Sequence, residues 1–318
     1  MAECAAILNT GASIPLIGFG TASGEPNITH AEKKAAILAA FEVGYRHFDT
    51  ASVYGSEASL GEMLNEAMQA GSVKREDLFI TSKVWCSDCY PEGVLPALKK
   101  SLSMLQLDYL DLYLMHWPLR FKEGVGFIPK PEEFLQLDLK GTWRALEACV
   151  KQGLTKAIGV SNFSSKKVRD LLEFAEIPPA VNQVEMHPAW QQKQLRDTCK
   201  GANIHVSAWS PLGAPSQLWG SPAILDEPIL KEIATKHGKT PAQVALRWGL
   251  DNGVSVLPKS FNKTRMTENY QVLDLHLTDE DHGAISKIKQ KKIVDGSFYC
   301  HPEFGDYRSV EDLWDGEI

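Results

Sequence analysis

Tyr45-Arg46-His47-Phe48-Asp49 is a short β-rich run closed by a carboxylate, and a helical stripe of Leu60, Leu64 and Met68 follows it over 57–68. Leu78-Phe79-Ile80-Thr81-Ser82-Lys83 is the next such run, this one closed by an ammonium. Strand, helix and strand in so few residues form the unit of a parallel sheet, whose strands need a crossover that is most often a helix. The alternation continues outward in both directions. β-rich runs stand at 16–20, 45–49, 78–83, 109–116, 157–161, 181–185, 206–209 and 254–259. Most are apolar on both faces, as strands sandwiched between a barrel interior and helices should be. Helical period appears over 32–43, with Ile37, Leu38 and Phe41 on one side, and over 142–151, with Trp143, Leu146 and Val150. Ser164 and Ser165 open another helix ahead of Val168, Leu171 and Leu172, and Thr240-Pro241 reads as a cap followed by a first-turn proline.

Eight such repeats predict an α/β chain folded as a (β/α)8 barrel, a single domain over residues 1–318. Thr10-Gly11-Ala12-Ser13 is a turn between 5–9 and Ile14, which predicts an N-terminal β-hairpin closing the barrel floor. A doubly wound sheet is the alternative, and it calls for a glycine-rich phosphate loop after its first strand. Gly18-Phe19-Gly20-Thr21-Ala22-Ser23-Gly24 spaces its glycines differently, and no helical period starts inside it.

Composition narrows the function. The 318 residues are 44% hydrophobic and 23% charged, average for a globular protein in water. A net charge of −7 argues against nucleic acid or an anionic membrane as partner. No apolar run reaches the ~20 residues of a membrane helix, and Met1-Ala2-Glu3-Cys4 lacks the basic start of a secretory signal. Six scattered cysteines in a chain of this size are expected to be reduced thiols, which points to the cytoplasm. Cys86 and Cys89 make a C-x-x-C pair, but no second pair of zinc ligands has suitable spacing, so no metal is expected.

In a (β/α)8 barrel, function gathers at the C-terminal ends of the strands. Asp49, Lys83 and His116 stand at three successive run ends, and Tyr54 follows Asp49 closely. A phenol has a pKa near ~10, too high to give up a proton easily at neutral pH. A nearby ammonium is expected to lower it, a carboxylate to keep that ammonium charged, and an imidazole to orient a carbonyl oxygen. These are the parts that protonate a carbonyl, so a reductase is the first expectation. An Asp–Lys pair alone is as often scaffold as chemistry. Four such groups on three successive strand ends argue for a site.

The later strand ends suit a nucleotide. Ser161, Asn162 and Gln183 offer hydroxyl and amide groups for a carboxamide, and Trp209 offers a flat face for a ring. Lys259, Ser260, Asn262 and Arg265 surround a helix start, where a phosphate monoester would be held.

These segments resemble the aldo-keto reductases over essentially the full length. Gly44-Tyr45-Arg46-His47-Phe48-Asp49-Thr50-Ala51, residues 110–118, Gly159-Val160-Ser161-Asn162-Phe163, Val181-Asn182-Gln183-Val184-Glu185 and Leu257-Pro258-Lys259-Ser260 carry the likeness. The resemblance implies NADPH-dependent reduction of a small carbonyl compound by a monomeric barrel, with Asp49, Tyr54, Lys83 and His116 as catalytic tetrad and Tyr54 as proton donor. It also implies a cofactor held by Ser161, Asn162, Gln183, Trp209, Ser210 and Leu212, with Lys259, Ser260, Asn262 and Arg265 on the 2′-phosphate and Glu268 and Asn269 near the adenine. Trp85-Cys86-Ser87-Asp88, Leu95-Pro96-Ala97-Leu98-Lys99-Lys100-Ser101-Leu102, Ile177-Pro178-Pro179-Ala180 and Trp190-Gln191-Gln192-Lys193 are similar to the plant branch of codeinone, methylecgonone and chalcone-type polyketide reductases. Trp209 departs from the tyrosine usual in the family.

For the substrate, the sequence offers Trp85, Trp117, Phe127, Phe298 and Tyr299 beside His116, with Phe121 and Trp219 near them. Small Ala22 and Ser23 leave room for a ring. An aromatic or cyclic carbonyl fits such a pocket better than a sugar. Oxidation of an alcohol with the same residues, and a cofactor-sensing accessory subunit, are the competing readings.

Overall fold

The computed structural model describes residues 4–23, 28–215 and 219–318; Met1, Ala2, Glu3 and Gly24 of the readings above lie outside them. Strands β1 (Ala5–Ile7) and β2 (Ser13–Pro15) pair antiparallel as the expected hairpin. Then come β3 (Gly18–Gly20), β4 (His47–Asp49), β5 (Phe79–Val84) and β6 (Leu110–Met115). A two-stranded pair, β7 (Arg120–Phe121) and β8 (Phe134–Leu135), stands apart from the barrel, which resumes with β9 (Thr155–Ser161), β10 (Val181–Glu185), β11 (His205–Trp209) and β12 (Ser255–Leu257).

Eight parallel strands run in the order β3, β4, β5, β6, β9, β10, β11, β12. Ile17 bridges Val256, and the Val256 N–H donates to the Leu16 carbonyl at 2.8 Å, which joins the last strand to the first. Each expected run holds one barrel strand. The runs at 16–20, 45–49 and 254–259 are trimmed to three residues, and in the first Leu16 and Ile17 are spent on that closure. Leu8 and Ile14 of the hairpin pack on Phe79, Leu112, Ala157 and Val181 at the starts of four strands, so the hairpin plugs the floor.

The helices are α1 (His30–Val43), α2 (Glu57–Gln69), α3 (Pro91–Leu105), α4 (Leu139–Lys151), α5 (Ser165–Leu172) and α6 (Lys193–Gly201). After them come α7 (Ala223–Asp226), α8 (Pro228–His237), α9 (Pro241–Asp251), α10 (Lys263–Tyr270), α11 (Asp279–Ile285) and α12 (Val310–Trp314). Thr29 and Glu32 form a capping box that starts α1 two residues before the periodic stretch. Ala36, Ile37, Ala40 and Phe41 make its buried side, and Leu38 is 43% exposed, which corrects its expected place beside Ile37. One residue is ~100° of helix turn, enough to carry Leu38 off the face. Gly44 ends α1 at φ +123°, and a Cβ there would stand 3.1 Å from the Tyr270 ring, so strand β4 enters the barrel tight against α10. Residues beyond α11 cross the mouth of the barrel and finish in α12, which lies against α5. The Ser165 N–H at the start of α5 donates to the Glu317 carboxylate at 3.0 Å, and Lys167 Nζ reaches Asp315 at 2.6 Å.

Near the floor, His205 Nε2 lies 3.0 Å from Ser255 Oγ, which meets Ser207 Oγ at 2.6 Å. Burial, with His47 nearby, pushes the His205 pKa down from its usual 6.5 to about 4. Between those values the unfolded chain binds a proton that the folded chain refuses. That stability is therefore full above pH 6.5 and falls as pH drops towards 4. His205→Gln keeps a polar group but does not titrate, so it should flatten this fall. Urea midpoints at about pH 7 and about pH 4.5 measure the slope. A variant with the slope of the parent protein contradicts the assignment.

Candidate active site

Strand register brings the four expected groups to one spot. Asp49 is the last residue of β4, Lys83 the last but one of β5, and His116 the first after β6. Tyr54 closes a single 3₁₀ turn, Ser52–Tyr54, and Gly55 at φ +60° turns the chain away behind it. Lys83 is fully buried, and its Nζ donates to Asp49 Oδ1 at 2.6 Å and to the Thr50 carbonyl at 2.9 Å. Gln183 Nε2 donates to the other oxygen, Asp49 Oδ2, at 2.7 Å. Burial pulls the Lys83 pKa down and the Asp49 carboxylate opposes it.

The phenol behaves differently from the sequence expectation. Burial raises the Tyr54 pKa well above 10, and the Asp49 charge raises it further. The Lys83 ammonium, 5.0 Å from the centre of the Tyr54 ring with two of its protons given to Asp49 and the Thr50 carbonyl, does not outweigh that burial. Tyr54 is therefore a fully protonated phenol at neutral pH, a donor kept loaded.

Tyr54 Oη lies 3.2 Å from His116 Nε2. Burial drives the His116 pKa well below its usual 6.5, and the Lys83 charge adds to this, so the imidazole is neutral. Its Nδ1 is buried without a partner. An orphaned N–H is the rarer of the two orphans in proteins, so the network assigns the proton to Nε2. His116 then donates to the Tyr54 oxygen, and the phenol hydrogen is left to point at whatever enters the mouth. Trp85 meets His116 edge-on at 5.0 Å and holds the ring from behind.

One cavity of ≈ 910 Å³ joins Tyr54 and His116 to the expected cofactor residues. Its wall includes Asp49, Ser161, Asn162, Gln183, Trp209, Ser210, Leu212, Lys259, Ser260, Arg265, Glu268 and Asn269. Asn162, at φ +62°, donates through Nδ2 to the His116 carbonyl at 2.9 Å and accepts from Trp209 Nε1 at 3.0 Å. The indole N–H makes a bond here that a tyrosine ring edge does not offer. Asn262 stands outside the wall. Its side chain caps α10 by accepting the Arg265 N–H at 3.1 Å, so it shapes the helix start that Lys259 and Arg265 flank. Lys83 likewise lies behind the wall, reaching the cavity only through Asp49 and Tyr54.

Of the expected aromatics, Trp117, Phe127, Phe298 and Tyr299 line the cavity. Phe127 lies parallel to the Tyr54 ring, 6.4 Å from it. Trp85 and Phe121 do not line it. Trp85 gives its indole N–H to the Val125 carbonyl at 2.8 Å, and Phe121 packs between Phe134 and Tyr299. Both are walls behind the wall. Ile128, Trp219, Leu225 and Val294 line the cavity as well, and so do Thr240, Pro241 and Ala242 at the start of α9. Of these, only Trp219 was singled out from sequence for the pocket; Thr240 and Pro241 were read only as a helix start, and an isolated aliphatic residue carries no signal until the chain has folded over it.

Charge divides this cavity into two ends. Among the described residues, Lys259 and Arg265 are the lysine and arginine of its wall, and both belong to the α10 end. Trp117, Phe127, Ile128, Val294, Phe298 and Tyr299, from the loop after β6 and from the tail, bring no charge to the other end. Cys86 and Cys89 are free thiols, buried, with pKa values pushed up by burial. No group of His, Cys, Asp and Glu able to hold a metal occurs among the described residues.

The profile of the Aldo/keto reductase family matches residues 16–290. Aldo-keto reductase family 4 member C11 of Arabidopsis thaliana is 49% identical over 98% of this chain and 97% of its own. Deoxymugineic acid synthase 1 of Zea mays is 50% identical over 96% and 97%. Rhazimal reductase 2 of Alstonia scholaris is 48% identical over 98% and 97%. The three relatives are plant proteins, in line with the branch that the sequence resembles. With identity near one half sustained from one end of the barrel to the other, the chain belongs to the aldo/keto reductase family, and it is an oxidoreductase of carbonyl compounds.

Proposed function

We propose that the protein reduces an uncharged aromatic or cyclic aldehyde or ketone with NADPH, and that Tyr54 gives the proton. The observation that carries this reading is the 3.2 Å contact of Tyr54 Oη with a neutral, buried His116 on the wall of a cavity long enough for cofactor and substrate together. The residues fit the cofactor. Ser161, Asn162 and Gln183 leave acceptor capacity for a carboxamide, and Trp209 presents a ring face. The α10 start, with Lys259, Ser260 and Arg265, suits a 2′-phosphate, and Glu268 and Asn269 border the adenine end. When bound, NADPH supplies a hydride to the carbonyl carbon. Tyr54 and His116 hold the carbonyl oxygen between them, and Tyr54 hands it the proton as negative charge develops there. Asp49 keeps Lys83 charged beneath the phenol, where the ammonium steadies the phenolate left after transfer. Six free thiols support a reducing compartment such as the cytoplasm, and a site built within one chain supports action as a monomer.

The neutral end of the cavity selects against anions. An acid, such as the product named for the maize relative, would bring a carboxylate to a wall of aromatic and aliphatic residues. Stripping water from an unpaired carboxylate there costs several kcal/mol.

Three outcomes test the reading. Tyr54→Phe keeps the ring and removes the proton, so kcat should fall by ~10²-fold or more while NADPH titrated by fluorescence still binds. Turnover near that of the parent protein would remove Tyr54 from the mechanism, and absent turnover in the parent itself would leave the accessory-subunit reading standing. Arg265→Ala should weaken NADPH by about tenfold or more and NADH little, given the usual strength of charge-assisted contacts to phosphate. Equal losses would place the phosphate elsewhere. Benzaldehyde should show kcat/KM at least about tenfold above both 4-carboxybenzaldehyde and xylose, a difference of ~1.4 kcal/mol. If the carboxylate or the sugar does as well, the neutral end is not the substrate pocket.

A further inference from the structure

Strand β10 does two jobs with two side chains on one face. Gln183 reaches back to Asp49 in the tetrad at 2.7 Å. Glu185, two residues on and so about 7 Å further along the same face, reaches outward to the C-terminal segment. Its carboxylate is fully buried. Oε1 accepts the Ile293 N–H at 2.6 Å, and Oε2 accepts the Val294 N–H at 2.9 Å. His187 Nε2 lies 3.0 Å from Oε1. The residues held in this way lead directly into the cavity wall. Val294 lines it, Phe298 and Tyr299 follow within five residues, and Tyr299 packs on Trp117 at 4.9 Å.

We infer that Glu185 is a positioning residue for the carbonyl pocket: its carboxylate clamps two consecutive backbone N–H groups at the root of the tail and so fixes where the tail aromatics stand relative to Tyr54 and His116. The inference rests on reading the neutral end of the cavity as the substrate pocket. Its physical basis is the strength of the clamp. A buried carboxylate without partners is too costly to keep, so each donor it finds is held firmly, and backbone N–H groups cannot swing away as side chains do. Lys292, beside the clamp, has a buried Nζ without a hydrogen bond that lies 3.5 Å over the Trp314 ring of α12. It adds a positive charge near Glu185 and ties the root of the tail to its end. Trp314 Nε1 in turn donates to the Asp295 carbonyl at 2.6 Å. Both ends of the loop that carries Phe298 and Tyr299 are thus fastened, and Glu185 is the fastening that belongs to the barrel.

Glu185→Gln tests this with nearly unchanged shape. The amide presents an N–H where one backbone N–H needs an acceptor, so one of the two bonds is lost. Hydrogen exchange by mass spectrometry, which needs no turnover, should show peptides spanning 291–299 exchanging at least about tenfold faster, with the barrel strands unaffected. The ratio of kcat/KM for a bulky aromatic ketone over that for propanal should fall about tenfold, chiefly through KM for the ketone, while the NADPH dissociation constant holds. Ile293→Pro removes one donor from the tail side and leaves the strand intact, so it stands in should the first variant fail to fold. Unchanged exchange in a folded variant overturns the clamp. Faster exchange without any shift in selectivity overturns the positioning role while leaving Tyr54 chemistry untouched. Loss of NADPH binding together with all turnover would show Glu185 to be a general structural residue.

Discussion

The buried contact between Lys83 and Asp49 is the constraint around which the rest of the barrel mouth is arranged. An ammonium with no exposure is tolerable only if its charge is matched at close range and its remaining protons are bonded. Asp49 Oδ1 at 2.6 Å and the Thr50 carbonyl at 2.9 Å take two of its three protons, the Tyr54 ring stands 5.0 Å from Nζ, and Gln183 occupies the second Asp49 oxygen. The pair therefore locks three strands, β4, β5 and β10, at the level where the chemistry takes place. Removing one partner from such a pair costs about 3–5 kcal/mol, more than the loss of an ordinary hydrogen bond, because the other charge is stranded.

The same burial that makes the pair costly sets the protonation of its neighbours. Tyr54 is held as a phenol and His116 as a neutral imidazole, since neither finds enough solvent or counter-charge to ionise. On the proposed mechanism, a site that stores its proton on Tyr54 and keeps His116 uncharged is prepared for an oxygen that becomes negative only during the reaction. Pre-organisation of this kind avoids rearranging water at the moment of transfer. The division of one cavity into a cationic and a neutral end follows from topology. The α10 start brings Lys259 and Arg265 to the far side of the barrel from the loop and tail that bring Phe127, Phe298 and Tyr299.

That division also separates what must stay fixed from what can vary. Asp49, Lys83, His116, Ser161, Asn162, Gln183 and Trp209 sit in or next to strand ends, whose positions are set by the hydrogen-bond register of the whole sheet. The aromatics sit on the loop before α4 and on the tail, whose positions are set by a few local fastenings such as Glu185, Lys167 and Glu317. If the proposed function holds, changes in those loops reach substrate selection without disturbing proton transfer.

The eight barrel strands, the floor hairpin and the convergence of Asp49, Tyr54, Lys83 and His116 at one mouth were legible in the sequence because each depends on local pattern. A run such as 78–83, apolar on both faces and ending on a charge, states its own burial and its own exit. Helix 91–105 was not read; Pro96 lies inside it and interrupts the helical pattern in the sequence. Trp85 and Phe121 were placed with the substrate because an aromatic near a strand end looks alike whether it lines a cavity or backs its wall. Only the fold shows that Trp85 turns its indole N–H to Val125 and stands roughly perpendicular to the His116 ring. The sign of the Tyr54 shift was likewise beyond the sequence. The spacing of Tyr54 and Lys83 says they are near one another. The pairing of Asp49 with Lys83 was expected and is found, but how much water the phenol loses depends on angles between strands that are fixed only when the sheet closes. The tail behaves the same way. Nothing in Ile293 or Val294 announces a partner, because the groups that bind are backbone N–H, and every residue but proline has one.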